Sequence, residues 1–363
     1  MGLKCGIVGL PNVGKSTLFN ALTRAGAEVS NYPFTTIDPN IGVVPVRDRR
    51  LDRIAELVKP ERVVPATVEF VDIAGLVKGA SRGEGLGNQF LAHIREVDAL
   101  CHLVRCFEKE DVAHVEGRVD PEGDIATINT ELILADLETL ERRIAKIEKP
   151  AISGDRKLKE LLTVCLKIKE HLEEGLPART LSEEYLKVAK ELNLLTAKPV
   201  IYVANTSEDS PQTLNIHGQK VKKIAETEGA GFVLLCARLE LELGELEEEE
   251  KAEFMRELGL EESGIDRLVK EALKVLGLIT FFTIKGGKEC RAWLVKEGTK
   301  APQAAGRVHT DFEKGFIKAE VVGWKDFVEC GSETVCRERG LTRIEGKDYI
   351  VKDGDIIFFR FAL

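Results

Sequence analysis

No apolar run in this 363-residue chain approaches the roughly 18 residues that a membrane span requires. No leader-like segment precedes the first strand pattern, which begins at Lys4 and runs directly into a glycine loop. The expectation is a chain that is neither secreted nor inserted in a membrane. The eight cysteines, at positions 5, 101, 106, 165, 236, 290, 330 and 336, include no Cys-x-x-Cys pair, and no cysteine–histidine cluster has zinc-ligand spacing. They read as small buried apolar residues in a reducing, cytoplasmic compartment. An excess of positive charge is also missing. With 52 Lys and Arg against 61 Asp and Glu the net charge is -9, which argues against nucleic-acid binding driven by global charge alone. Residues 278–363 depart locally, with 15 Lys and Arg against 13 Asp and Glu. A polyanion would therefore meet the C-terminal part more readily than the rest.

What is present is an ordinary globular balance, 44% hydrophobic and 31% charged, in a length suited to two or three domains. Residues 4–10, 66–73, 99–107, 199–204 and 231–237 are short apolar or β-branched runs separated by helical patterns. Strands that alternate with helices predict an α/β fold around a mostly parallel sheet. Between about 128 and 197 the period changes. Ile133, Leu137, Leu140, Ile144 and Ile147, then Leu158, Leu161, Cys165, Ile168 and Leu172, form two heptad seams. The Pro- and Gly-containing stretch Lys149–Asp155 reads as the turn between them. The expected result is an antiparallel coiled-coil hairpin inserted in the α/β domain, the alternative being ordinary helices packed on the sheet. From Ile279 onward short β-rich runs (279–284, 292–295, 316–322 and 356–361) separated by glycine-containing turns predict a small α+β or all-β module. The domains expected are 1–277, with the helical insertion, and 278–363. The acidic run Glu247–Glu250 reads as a solvated helical face.

The chemistry sits at Gly9-Leu10-Pro11-Asn12-Val13-Gly14-Lys15-Ser16-Thr17, a G-x-x-x-x-G-K-[ST] loop between a strand and a helix. Its glycines let backbone N–H groups wrap a phosphate at a helix N-terminus. Lys15 would neutralise the β- and γ-phosphates, and the Ser16 hydroxyl would ligate Mg²⁺. Asp72-Ile73-Ala74-Gly75 closes the second strand as D-x-x-G. Asp72 would hold Mg²⁺ through water, and the Gly75 amide would meet the γ-phosphate. In Asn31-Tyr32-Pro33-Phe34-Thr35-Thr36 a threonine would cap the metal, Thr36 being preferred to Thr35. Four glycines between 79 and 87 suit a switch that orders on the γ-phosphate, the plainer reading being a flexible loop.

Taken together, Asn31–Thr36, Asp72–Gly87, the helical insertion and the C-terminal module resemble the translation-factor-related P-loop NTPases. Within them the likeness is to the Obg-like branch and its YchF-type ATPases, over essentially the whole chain. The resemblance implies a P-loop G-domain carrying a C-terminal TGS-like, β-grasp module, with ribosome association, the large subunit being the expected contact. It also frames Asn205-Thr206-Ser207-Glu208 as the counterpart of the guanine-reading N-K-x-D. Glu208 is one methylene longer than the usual Asp and would not hold its bonds to guanine N1–H and N2–H₂. Thr206 loses the lysine stem that covers the base. Guanine selectivity should be lost and, following the family, ATP preferred over GTP. Asn205 is expected to brace the P-loop and the base edge, and the Ala237 backbone in Cys236-Ala237-Arg238 to meet the base.

Leu76 stands where many relatives place a water-orienting glutamine, so intrinsic hydrolysis should be slow. His114 is the candidate to position water, against a solvated loop histidine. His93 is expected to be structural. Asn12 resembles the asparagine that binds K⁺ in some related NTPases. The C-terminal likeness suggests RNA contact through Lys285, Lys288 and Arg291, against a plain solvated turn. The function expected is a slow Mg²⁺-dependent ATPase, a monomer, whose nucleotide state switches its hold on the ribosome. The alternatives are a GTP-binding assembly factor of the Obg type and a non-catalytic nucleotide-dependent RNA- or protein-binding module.

Overall fold

The computed structural model describes residues 3–26, 40–73, 86–108, 119–209 and 211–362. The chain forms two compact units, Met1–Val44 with Val68–Val275, and Pro45–Thr67 with Leu276–Leu363. In chain order the elements begin β1 (Lys4–Val8), α1 (Lys15–Ala25), β2 (Ile41–Pro45), α2 (Arg49–Val58), β3 (Arg62–Val64) and β4 (Thr67–Asp72). There follow α3 (Leu86–Glu96), β5 (Ala99–Arg105), α4 (Pro121–Ile152), α5 (Arg156–Glu173) and α6 (Glu183–Glu191). Then come β6 (Val200–Asn205), α7 (Ile216–Glu228), β7 (Gly231–Leu235), α8 (Ala237–Leu243), α9 (Glu248–Glu257) and α10 (Gly264–Val275).

The first sheet has the order β2-β4-β1-β5-β6-β7. From β4 to β7 every pairing is parallel. All residues of β5 and β6 are buried, because helices cover both faces of such a sheet and force apolar residues onto both. β1 has neighbours on either side, and the P-loop leaves its C-terminal end, where open α/β sheets bind ligands.

The helical insertion differs from the expected two-helix hairpin in two ways. First, α4 continues through Pro150 to Ile152, so the turn narrows to residues 153–155. In the last turn of α4 Pro150 supplies no N–H to the ladder, and the helix ends two residues later. Second, both heptad seams pack into one cluster that also takes Ala178, Ala189, Leu194 and Ala197. The short α6 and its flanking turns cover the seam, making a three-helix body. Asp136 on α4 fastens it. Its carboxylate accepts from Leu195 N–H (2.6 Å), Thr196 N–H (2.8 Å) and Thr196 Oγ1 (2.7 Å).

The second unit continues β8 (Leu278–Lys285), β9 (Glu289–Lys296), α11 (Ala301–Val308), α12 (Thr310–Lys314), β10 (Phe316–Gly323), α13 (Trp324–Cys330) and α14 (Glu333–Glu338), ending in β11 (Arg343–Glu345) and β12 (Asp355–Phe361). Its sheet runs β11-β10-β12-β8-β9-β3. Residues 45–67, expected within the first domain, supply β3 to its edge, with Arg62, Val63 and Val64 in parallel register against Glu289, Cys290 and Arg291. They also supply α2, whose Leu51 and Ile54 are buried. The module is α+β, with four short helices in runs that strand patterning alone did not reveal. All eight cysteines are free, and Cys330 alone is not fully buried. Among the described residues no helix is long and apolar enough to cross a membrane.

Candidate nucleotide site

The P-loop is shaped by two left-handed residues, Asn12 (φ 65°) and Gly14 (φ 96°). Such angles turn successive backbone N–H groups toward one concave point. At Gly14 the chain has no alternative residue, since a Cβ there would lie 2.5 Å from Asn205 Nδ2. Gly9 is similarly tight, with an added Cβ 2.8 Å from the Leu103 carbonyl oxygen. Asn205, at the C-terminal end of β6, holds the loop's underside. Its Nδ2 donates to the Val13 carbonyl (2.8 Å), and its Oδ1 accepts from Ala237 N–H (2.9 Å). One buried side chain thus joins the P-loop to the start of α8.

A cavity of about 700 Å³ opens over these elements. Asn12, Gly14, Lys15, Ser16 and Thr17 line it together with Asn205, Thr206, Glu208 and Ala237. Val13 is buried, and its carbonyl accepts from Asn205 Nδ2. Thr206 faces inward as well as toward the cavity. Its N–H donates to the Leu235 carbonyl at 2.9 Å, so the 205–208 loop is pinned to the end of β7. Residues that sequence reasoning missed also line the cavity, among them Phe107, Glu108, Asp209 and Arg238. Phe107 follows β5 directly, and position after a strand C-terminus was the signal that could have found it. Arg105, buried, donates from Nε to the Phe107 carbonyl (3.0 Å), and its guanidinium lies 4.8 Å from that ring's centre.

Lys15 Nζ is ion-paired with Asp72 Oδ1, so the two ends of the expected phosphate and metal region meet across the site. Ser16 is exposed on the first turn of α1. A serine hydroxyl and an aspartate carboxylate are hard oxygen donors that suit Mg²⁺, which takes few protein ligands and completes its shell with phosphate and water. The residues present fit that ion. Thr36, Gly75, Leu76, His114 and most of the 75–87 loop lie outside the described residues. His93 is exposed on α3 and does not line the cavity.

In the second unit, Lys285 and Lys288 are exposed at the β8–β9 turn. Arg291 is drawn away from them onto Trp293, its guanidinium 4.1 Å from the ring centre. Burial holds its pKa below the usual guanidinium range.

Residues 4–135 match the family described as 50S ribosome-binding GTPase. Residues 278–362 match YchF-GTPase_C, a family carried under the description protein of unknown function. The chain is 56% identical over 363 residues to the ribosome-binding ATPase YchF of Haemophilus influenzae, covering 99% of both. It is 53% identical over 365 residues to the protein of that name in Bacillus subtilis, covering 99% of this chain and 100% of that one. The solved structure of the Schizosaccharomyces pombe YchF GTPase superposes with a TM-score of 0.89 at 40% identity, covering 99% of this chain and 98% of that one.

Proposed function

Because the chain belongs to the YchF family, we propose that it is a cytoplasmic Mg²⁺-dependent nucleotide hydrolase that prefers ATP to GTP and binds the ribosome according to nucleotide state. The observation that carries the reading is the single cavity in which a P-loop faces Glu208 rather than a guanine-reading aspartate. The ribosome enters from the relatives' names, ribosome-binding ATPase. Contact with its large subunit, and with RNA through Lys285 and Lys288, extends that reading.

The phosphates would lie against the backbone N–H groups of Gly14 to Thr17 at the N-terminus of α1. The Lys15 ammonium, ion-paired with Asp72 in the structure, would neutralise the β- and γ-phosphate oxygens, while Ser16 and Thr36 would hold Mg²⁺ directly and Asp72 would hold it through water. When bound, Mg²⁺ neutralises charge on the β- and γ-phosphate oxygens. The Gly75 amide would read the γ-phosphate, His114 would position water that Leu76 cannot, and Asn12 would favour K⁺ as a second cation. Release of the 31–38 and 75–90 segments after hydrolysis would alter the hold on the ribosome. The chain would act as a monomer.

Competition of ATP and GTP against a fluorescent nucleotide, in Mg²⁺ with KCl, tests the reading. Tighter ATP binding is expected, followed by turnover that rises on adding ribosomes and falls when NaCl replaces KCl. Tighter GTP binding would place the protein among the guanine switches.

A further inference from the structure

Glu208 leaves half of the base edge unanswered. In the Watson–Crick direction adenine presents a donor at N6 and an acceptor at N1. A carboxylate serves only the donor. A donor beside Glu208 would complete the edge, and among the donors lining the cavity is one that sequence reasoning treated only as part of the motif after β7. Arg238 lines the cavity with Glu208. It sits on the first turn of α8, one residue after Ala237, whose N–H is fixed by Asn205 at 2.9 Å. Its Nε donates to Glu242 Oε1 one turn along the helix (2.8 Å), which orients the guanidinium plane. Both terminal nitrogens are without hydrogen-bond partners among the described residues. Glu208, Cys236 and Arg238 all line the cavity.

We propose that Arg238 is a specificity-determining residue that donates to adenine N1 while Glu208 accepts from the N6 amino group, with Glu242 positioning the guanidinium. The pair is an acceptor beside a donor, the pattern adenine needs. Guanine in the same register would set its O6 acceptor against Glu208 and its N1–H donor against Arg238, two like-with-like meetings. The inference rests on the adenine reading above and adds the residue that enforces it.

The test compares binding of ATP, GTP and 1-deaza-ATP, which lacks the N1 acceptor, to the full chain in Mg²⁺. Arg238→Met keeps the apolar stem and removes the donors. ATP affinity is expected to fall about 10-fold or more, the size of a lost hydrogen bond to a charged group. Affinity for 1-deaza-ATP should not change, and the preference for ATP over GTP should shrink by a similar factor. Glu242→Gln, which loosens the guanidinium without removing it, should reduce discrimination between ATP and 1-deaza-ATP by a smaller factor. Equal weakening toward ATP and 1-deaza-ATP would assign Arg238 only a covering role and overturn the proposal. So would an unchanged ATP-to-GTP ratio. Should the wild-type chain bind GTP more tightly, the adenine reading falls and this assignment with it. Should it prefer ATP while Arg238→Met keeps that preference, only Arg238 is removed from base recognition.

Discussion

Asn205 occupies the position where the nucleotide site and the fold depend on the same two hydrogen bonds. Asn205→Ala leaves the Val13 carbonyl and the Ala237 N–H unpaired in a buried place, at a cost of about 1–3 kcal/mol each before relaxation. Urea unfolding should shift by that order, and nucleotide affinity should fall at least tenfold as the loop loses its brace. Asn205→Asp should be no better, because a carboxylate would face the Val13 carbonyl with no hydrogen to offer. Gly14→Ala is expected to abolish binding outright, since its Cβ collides with the Asn205 side chain at an angle that already strains any other residue; nucleotide titration checks it. At this scale much of the site was legible. The P-loop and the 205–208 loop could be read because their chemistry depends on contiguous residues. Arg105, Phe107 and Arg238 could not, because each earns its place from a strand end or helix turn that only the folded sheet brings near the P-loop.

The elements divide by the strength of their periodicity. β1, β4, β5, β6 and β7 stand out as apolar runs because burial on both faces demands it. β3 is three residues long and one of them is exposed, too little to register against the local composition. The heptad seams of α4 and α5 were legible in full, whereas α6 was hidden, since its role is to cap a groove already formed. Asp136 should therefore be the weak point of the helical body. Asp136→Ala removes the partner of two buried N–H groups and a hydroxyl, and a loss of about 2–4 kcal/mol is expected in chemical denaturation. In the second unit Glu320 on β10 accepts from Arg360 on β12 (3.2 Å) and Arg337 on α14 (2.9 Å). Those bonds and charges, Arg360 foremost, hold its carboxyl below the usual carboxylate range. A depressed folded-state pKa contributes stability above the unfolded value that is lost as pH falls through the folded one. Glu320→Gln should accordingly flatten the decline in melting temperature below about pH 4.3, while wild type keeps the steeper acid limb.

For the whole molecule, the chain forms two compact units and enters the second one twice. A fragment of residues 278–363 lacks β3 and α2, leaving the β9 edge open and the apolar neighbours of Leu51 and Ile54 uncovered. Such a fragment is expected to melt at lower temperature and to associate in light scattering, since an open strand edge templates pairing with other chains. Melting unchanged from that unit in the full chain would contradict it. Composition carried no hint of this excursion, for a short polar helix and a three-residue strand look alike in either unit. The excursion also sets a clock. Arg62 pairs with Glu289, a separation of 227 residues; at about 5–20 residues per second of synthesis, β3 leaves the ribosome roughly 10–45 s before its partner strand exists. For that interval Arg62–Val64 and the apolar side of α2 must wait without their sheet while the rest of the first unit is made. The newborn chain therefore carries an unmet strand and an uncovered helix for longer than most small domains take to fold, and this is the period in which a chaperone would have most to shield.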